Sequence, residues 1–197
     1  MIPLPFPDHR VIIVGAGQSG LAVASALCVA GLVPQKDFTV IDANAGAQRS
    51  WGSRWHSMEL LSPARDSVIT DRPLAGDPMR HPRADELAAY LDAIEASLGV
   101  TTMWGISATS VQHEDTSLVL GTTDGQFRAE NVVCATGAAH VPWVPRWASV
   151  LAVPGAALHS ADYSFPLQIP AGEVLIIGDG HSGMQLAQEL LHSHTVT

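Results

Sequence analysis

Two glycine-rich turns, Gly15-Ala16-Gly17-Gln18-Ser19-Gly20 and Gly178-Asp179-Gly180-His181-Ser182-Gly183, are the stretches of this chain best suited to chemistry. Both have the spacing GxGxxG. In such a turn the first glycine permits a tight bend and the second lets a diphosphate approach the backbone unobstructed. The third allows the following helix to sit close to the preceding strand. Unpaired N–H groups at the helix N-terminus then face the phosphates. The spacing alone is weak, because glycine-rich turns are common. At the first turn it is joined by Asp42, 22 residues beyond Gly20, near the separation at which an acidic residue accepts hydrogen bonds from an adenosine ribose. A structural strand-to-helix turn with an exposed aspartate cap is the bland alternative. The turn does not by itself distinguish FAD from NAD, and an enzyme that uses it for NAD alone also fits.

The surrounding elements must position these turns. Residues 11–14 are a short branched apolar run of strand type, and residues 21–30 a small-residue helix closed by Gly31. Residues 38–41 read as a second strand ending at Asp42, which completes a βαβ unit. Residues 43–82 carry many Ser, Pro, Arg and Trp with no sustained period, and read as long ordered loops with short helical turns. From Arg83, the spacing of Leu87, Tyr90, Leu91, Ile94 and Leu98 predicts a helix stopped by Gly99 and lying on a sheet. Runs at 107–113, 117–120 and 127–128, with Asp124-Gly125 as a hairpin turn, predict a small antiparallel meander. Residues 132–135 then predict a buried strand leading into Thr136-Gly137. The opening theme returns with a strand at 174–177, the second turn and a helix at 184–191. The fold class is α/β: a Rossmann-like domain with a parallel sheet and a small antiparallel β-meander, followed by the first βα unit of an incomplete second Rossmann domain.

Composition narrows the partners. With 19 acidic residues against 10 basic, the net charge is −9, so a nucleic-acid backbone is repelled over most of the surface. Cys28 and Cys134 lie far apart and form no CxxC, which favours reduced thiols, a cytoplasmic location and no redox-active disulfide. Residues 11–33 contain no charge and have about the length of a membrane span. Three interrupting glycines and the branched run before them favour a strand and a helix over a span or signal peptide.

VIIVGAGQSGLAVASAL, Asp42, Trp51, Trp55, Leu60, Ser62-Pro63-Ala64-Arg65, Arg80-His81-Pro82, Tyr90-Leu91 and Ala135-Thr136-Gly137 resemble, in order and spacing, the flavin-containing monooxygenases and their bacterial flavoprotein relatives. The resemblance covers about residues 9–192. Residues 153–163, VPGAALHSADY, are similar to that family's FxGxxxHxxxY fingerprint, with Val153 in place of Phe and with Gly155, His159 and Tyr163 matching. The alternative is a chance loop with a surface histidine.

The resemblance implies that the first turn (Gly15, Ala16, Gly17, Gln18, Ser19, Gly20) with Asp42 and Ala43 binds FAD. The second (Gly178, Gly180, His181, Ser182, Gly183) would bind NADP or NAD, although His181 also reads as a plain exposed residue at a helix start. Thr136 and Gly137 would approach FAD at the strand end, and Ser110 and Val111 would flank the adenine. Trp51 and Trp55, beside Arg49 and Arg54, suit a wall against the flavin and its phosphates, or else core anchors. The implied activity is NAD(P)H-driven oxygenation of a small organic substrate at nitrogen, sulfur or a ketone. A non-catalytic nucleotide-binding fragment is the other reading.

Four departures bear on this. Gln48 and Arg49 stand where the family has a glycine before Trp51, and Asp179 brings a carboxylate to the second turn. The asparagine that such enzymes place in this region to stabilise the reactive oxygen adduct has no match, Asn44 being too close to Asp42. The last is length. The FAD domain is expected over residues 1–165, and residues 166–197 hold only the start of an NAD(P) domain. Its open strand edge and bare apolar helix face predict docking on the first domain, self-association, cover by a partner or partial disorder.

Overall fold

The computed structural model describes residues 9–46, 49–114, 116–139, 141–151 and 157–197. Strand β1 (His9–Val14) is followed by helix α1 (Gln18–Val29) and strand β2 (Phe38–Asp42). The two strands are parallel, in register from Val11 opposite Phe38 to Val14 opposite Ile41. All five residues of β2 are buried, as a strand covered on both faces requires. Side chains alternate across the sheet. Val11, Ile13, Phe38 and Val40 pack with Ala24 of α1 on one face, while Ile12, Val14 and Ile41 pack with Leu120, Phe127 and Ala129 on the other. The charge-free stretch 11–33 is thus divided between a strand, a helix and a turn. Among the described residues no helix is long and apolar enough to cross a membrane.

Among its described residues, the loop region at 43–82 contains the helical turn α2 (Arg49–Gly52) and a short 3-10 turn at Ala64–Asp66. Helix α3 (Ala84–Leu98) follows. The Glu86 carboxylate accepts the Arg83 N–H at 2.8 Å at its start, and Gly99, at φ 65°, ends it. Its buried stripe of Leu87, Tyr90, Leu91 and Ile94 meets Leu21 of α1 and Leu60 of the loop. The expected position on a sheet face is therefore corrected. Helix α1 already covers that face, so α3 forms a further layer on α1 and the loop.

Strands β3 (Met103–Trp104), β4 (Ala108–Glu114), β5 (Ser117–Thr122) and β6 (Gly125–Cys134) complete a sheet of order β3-β2-β1-β6-β5-β4. The separate strands expected at 127–128 and 132–135 are one ten-residue strand. Its first half runs antiparallel to β5 and its second half parallel to β1. Ala129 is the junction, opposite both Leu118 and His9. The polar Glu130-Asn131 step hides this continuity in the sequence. The second half is half-buried to exposed, not buried as expected.

The repeat forms a second, two-stranded parallel sheet of β7 (Glu173–Val174) and β8 (Thr195–Val196), joined across helix α4 (His181–Leu190). The strand expected at 174–177 is shorter than its apolar run, although the Ile176 N–H still donates to the Thr197 carbonyl at 2.8 Å. Helix α4 docks on the first part of the chain. Leu186 and Leu190 pack on Trp55 and Tyr163, and Gln185 Nε2 donates to the Glu59 carbonyl at 2.9 Å. The unit buries little else: Leu175, Ile177, Met184 and Leu191 remain exposed.

Candidate functional site

The first glycine turn is built by backbone overlap that only glycine avoids. Gly15 has φ +110°, and its N–H donates to the Ile41 carbonyl at 2.8 Å. A Cβ on Gly15 would overlap the Ala135 carbonyl oxygen, and one on Gly20 would overlap the Gly15 carbonyl oxygen. Strand β6 is pinned here too, since the Ala135 N–H donates to the Val14 carbonyl at 2.8 Å. Thr136 and Gly137 consequently follow the residue that backs the turn. Gly137, at φ +74°, has open space where a Cβ would point.

Asp42 is buried, which removes the exposed-cap alternative. Its Oδ2 accepts the Ala16 N–H at 2.7 Å, and its Oδ1 accepts both the backbone and side-chain N–H groups of Asn44 at 2.8 Å. A carboxylate oxygen has two acceptor sites, so Oδ2 keeps capacity for one further donor, as a ribose hydroxyl would require. The Asn44 carbonyl accepts from Gly105 and the Asp42 carbonyl from Ile106, tying the strand end to the entry of β4. Asn44 is thus a structural partner of the site that sequence reasoning passed over. Its signal was its place two residues after an aspartate. Ser67 had no such signal: it is buried, and its carbonyl accepts from Gln18 Nε2 at 2.9 Å.

Ser19 and Ala43 are exposed beside this wiring. Ser110 and Val111 lie on β4, an exposed edge strand, a few residues past the Ile106–Asp42 bond. Arg49 belongs to α2, Gln48 lies outside the described residues, and so do Val153 to Gly155 of the fingerprint. The two tryptophans separate. Trp55 is buried against α4 as a packing anchor. Trp51 is half-buried beside Leu21 and Leu60. With Gln18, Met58, Leu60, Leu61 and Ser62 it lines a hollow of about 190 Å³ that reaches the glycine turn through Gln18. A larger hollow of about 290 Å³, lined by Trp55, Glu59, Gln185 and Glu189 among others, lies between the loop and α4, away from that turn.

The second turn repeats the first. Gly178 has φ +119°, and a Cβ on Gly183 would overlap the Gly178 carbonyl oxygen. That Cβ would lie 3.5 Å from Ile176 Cγ2, against 3.4 Å between Gly20 and Ile13 Cγ2. Gly17 and Gly180 cap their helices with φ of −75° and −73°. A Cβ on Gly180 would stand in open space, and His181 and Ser182 are exposed in the first turn of α4. Asp179, at the position of buried Ala16, is exposed and does not fill the turn. Val174 lies opposite Val196 as Val11 lies opposite Phe38.

Three groups on or packed against the elements around these turns titrate away from their ordinary ranges. Hydrogen bonding from Thr136 holds the exposed Cys134 thiol below its ordinary range, whereas burial pushes Cys28 up. Burial, with the Glu189 carboxylate beside it, pushes the Tyr163 phenol up. A phenol whose pKa is raised on folding contributes stability that is complete below its unfolded value of about 10 and is lost as pH rises beyond it. Urea midpoints from pH 8 to 11.5 should therefore fall more steeply for the natural chain than for Tyr163→Phe. Parallel slopes would contradict this.

Two glycine turns of one geometry, the first wired to a buried acidic residue at the end of the next strand, define the class: an α/β dinucleotide-binding fold. The sequence profile of the pyridine nucleotide-disulphide oxidoreductase family matches residues 12–197, and the chain belongs to that family. It is 31% identical to an uncharacterized oxidoreductase CzcO-like of Geobacillus kaustophilus, over 94% of this chain and 52% of that one. It is 30% identical to indole-3-pyruvate monooxygenase YUCCA1 of Oryza sativa subsp. japonica, over 91% of this chain and 44% of that one. Its fold matches the flavin-containing monooxygenase from Stenotrophomonas maltophilia with a TM-score of 0.81 at 29% identity, covering 98% of this chain and 57% of that one. The resemblance to flavin monooxygenases drawn from the sequence therefore holds, as does the Rossmann-like architecture. The chain spans about half the length of the curated relatives it matches.

Proposed function

We propose that this chain is the FAD-binding portion of an NAD(P)H-using flavin oxidoreductase of monooxygenase type, acting on a small organic substrate. The observation that carries the reading is the glycine turn closed on Asp42, in which Oδ2 holds the Ala16 N–H and retains an acceptor site. The residues fit the group. Gly15, Gly17 and Gly20 with the N-terminus of α1 would hold the diphosphate, Asp42 the ribose, and Thr136-Gly137 the flank of the turn. The hollow beside Trp51 would receive the flavin end, and Ser110 and Val111 the adenine. FAD, when bound, supplies redox chemistry that no side chain here can perform. The protein's part is to orient the cofactor and keep water from it.

The second turn, with Gly178, Gly180, His181, Ser182 and Gly183, would take the diphosphate of NADP or NAD. This supports a division into an FAD domain at 1–165 and an NAD(P) unit from 166. Free thiols at Cys28 and Cys134 support a cytoplasmic location, and the exposed apolar residues of the second unit support cover by a partner or a second copy. The absorption spectrum tests the reading. Protein supplied with FAD should retain a flavin band after desalting; a colourless sample that takes up no FAD at micromolar excess overturns it. A non-catalytic nucleotide-binding module is favoured by one observation, that β7 is only two residues long, shorter than its apolar run. It predicts FAD uptake with no flavin-dependent NADPH consumption.

A further inference from the structure

Arg54 differs by its burial from the exposed cations Lys36 and Arg72, which also have no carboxylate within 4 Å among the described residues. Arg10, Arg65, Arg80, Arg83 and Arg128 each lie within 4 Å of a carboxylate. Arg54 has no such partner among the described residues, in a chain of net charge −9. Its Nε is buried without a hydrogen-bond acceptor. Removing a guanidinium N–H from water with nothing to receive it is unfavourable, and an anionic ligand is one group that would satisfy it.

Its guanidinium carbon lies 6.0 Å from the centroid of the Trp51 ring. A guanidinium laid over an indole is held by its face and keeps the N–H groups on its edge free to meet a planar oxyanion in bidentate fashion. Trp51 is also the wall of the hollow that reaches Gln18 in the glycine turn. The arginine and the proposed cofactor site thus share one aromatic side chain.

We propose that Arg54 is an oxyanion-binding residue of the dinucleotide site, with Trp51 as the platform that orients it. The chemistry it recognises is a phosphate or a carboxylate, supplied either by the cofactor's diphosphate or by an anionic substrate beside the flavin. The location rests on the FAD-binding reading; the buried, unbonded Nε does not.

Tryptophan fluorescence titrations with FAD, riboflavin, inorganic pyrophosphate and phenylacetate test this on the natural chain and on Arg54→Met. Loss of one charge-assisted contact should weaken anion binding roughly 10- to 100-fold. If FAD and pyrophosphate weaken while riboflavin does not, Arg54 meets the cofactor's diphosphate. If FAD is unchanged while phenylacetate weakens, it meets a substrate carboxylate. Arg54→Lys, which keeps the charge and loses the fork, should fall between. Anion affinities that are unchanged or undetectable overturn the proposal. So does an equal loss for riboflavin, which marks Arg54 as packing for Trp51, or an equal loss in the exposed control Arg72→Met, which marks a net-charge effect. Should the natural chain bind no FAD, the proposed function falls, and the pyrophosphate arm still decides Arg54.

Discussion

A Gly20→Ala chain is expected to lose about 3 kcal/mol of stability, the upper end of overpacking costs, together with all measurable FAD uptake. The added methyl would occupy the position of the Gly15 carbonyl oxygen, with Ile13 Cγ2 at 3.4 Å. Backbone cannot step aside as a flexible side chain does. Gly15 is itself held by its bond to Ile41 and by the Ala135 carbonyl behind it, so α1 has to lift from β1 and β2. That movement opens the layer formed by Ala24, Val11, Ile13 and Val40 and removes the helix N-terminus from the diphosphate. Gly183→Ala makes the same overlap with the Gly178 carbonyl. It should nevertheless leave FAD uptake intact, because the second unit is mostly exposed and can give way. Urea melts and FAD titrations of both variants check the pair. A Gly20→Ala chain with an unaltered midpoint and native FAD affinity would show that the turn is not the cradle described.

Asp42→Ala is expected to weaken FAD binding about 100-fold or more, since charge-assisted contacts in a buried site are each worth about 1.5–3 kcal/mol. It should also destabilise the chain by about 2 kcal/mol, the usual penalty for orphaned buried donors. The carboxylate satisfies three N–H groups, one from Ala16 and two from Asn44, before any ligand arrives. Its removal leaves the Ala16 N–H buried beside an apolar cluster and frees the Asn44 link to the entry of β4. Asp42→Asn keeps one acceptor oxygen, so it should retain part of the stability and less of the affinity. If both variants melt and bind like the natural chain, Asp42 is neither ribose acceptor nor loop fastener. Riboflavin, which lacks the adenosine ribose, separates the roles: its affinity should follow the stability loss alone.

The elements that hold the first turn were legible in the sequence because their signals are local. A branched run, three spaced glycines, a small-residue helix and an aspartate at the next strand end are all written within 32 residues, from Val11 to Asp42. The same holds for α3, whose stripe and stop at Gly99 are a matter of helical period and of one left-handed residue. What α3 packs against was not legible. Periodicity reveals an apolar face and not its partner, and α1 had already taken the sheet.

Tertiary structure alone decided the rest. The fusion of two expected strands into β6 depends on Ala129 finding Leu118 on one side and His9 on the other, the second a pairing across more than a hundred residues of chain. The parting of Trp51 from Trp55, and the burial of the Arg54 Nε, depend on which neighbours the irregular loop at 43–82 meets. A loop without a repeating pattern encodes that only through contacts distant in sequence. Nearest-neighbour chemistry therefore determined that a glycine turn closed on a buried aspartate exists in this chain. Long-range packing determined which side chains surround it.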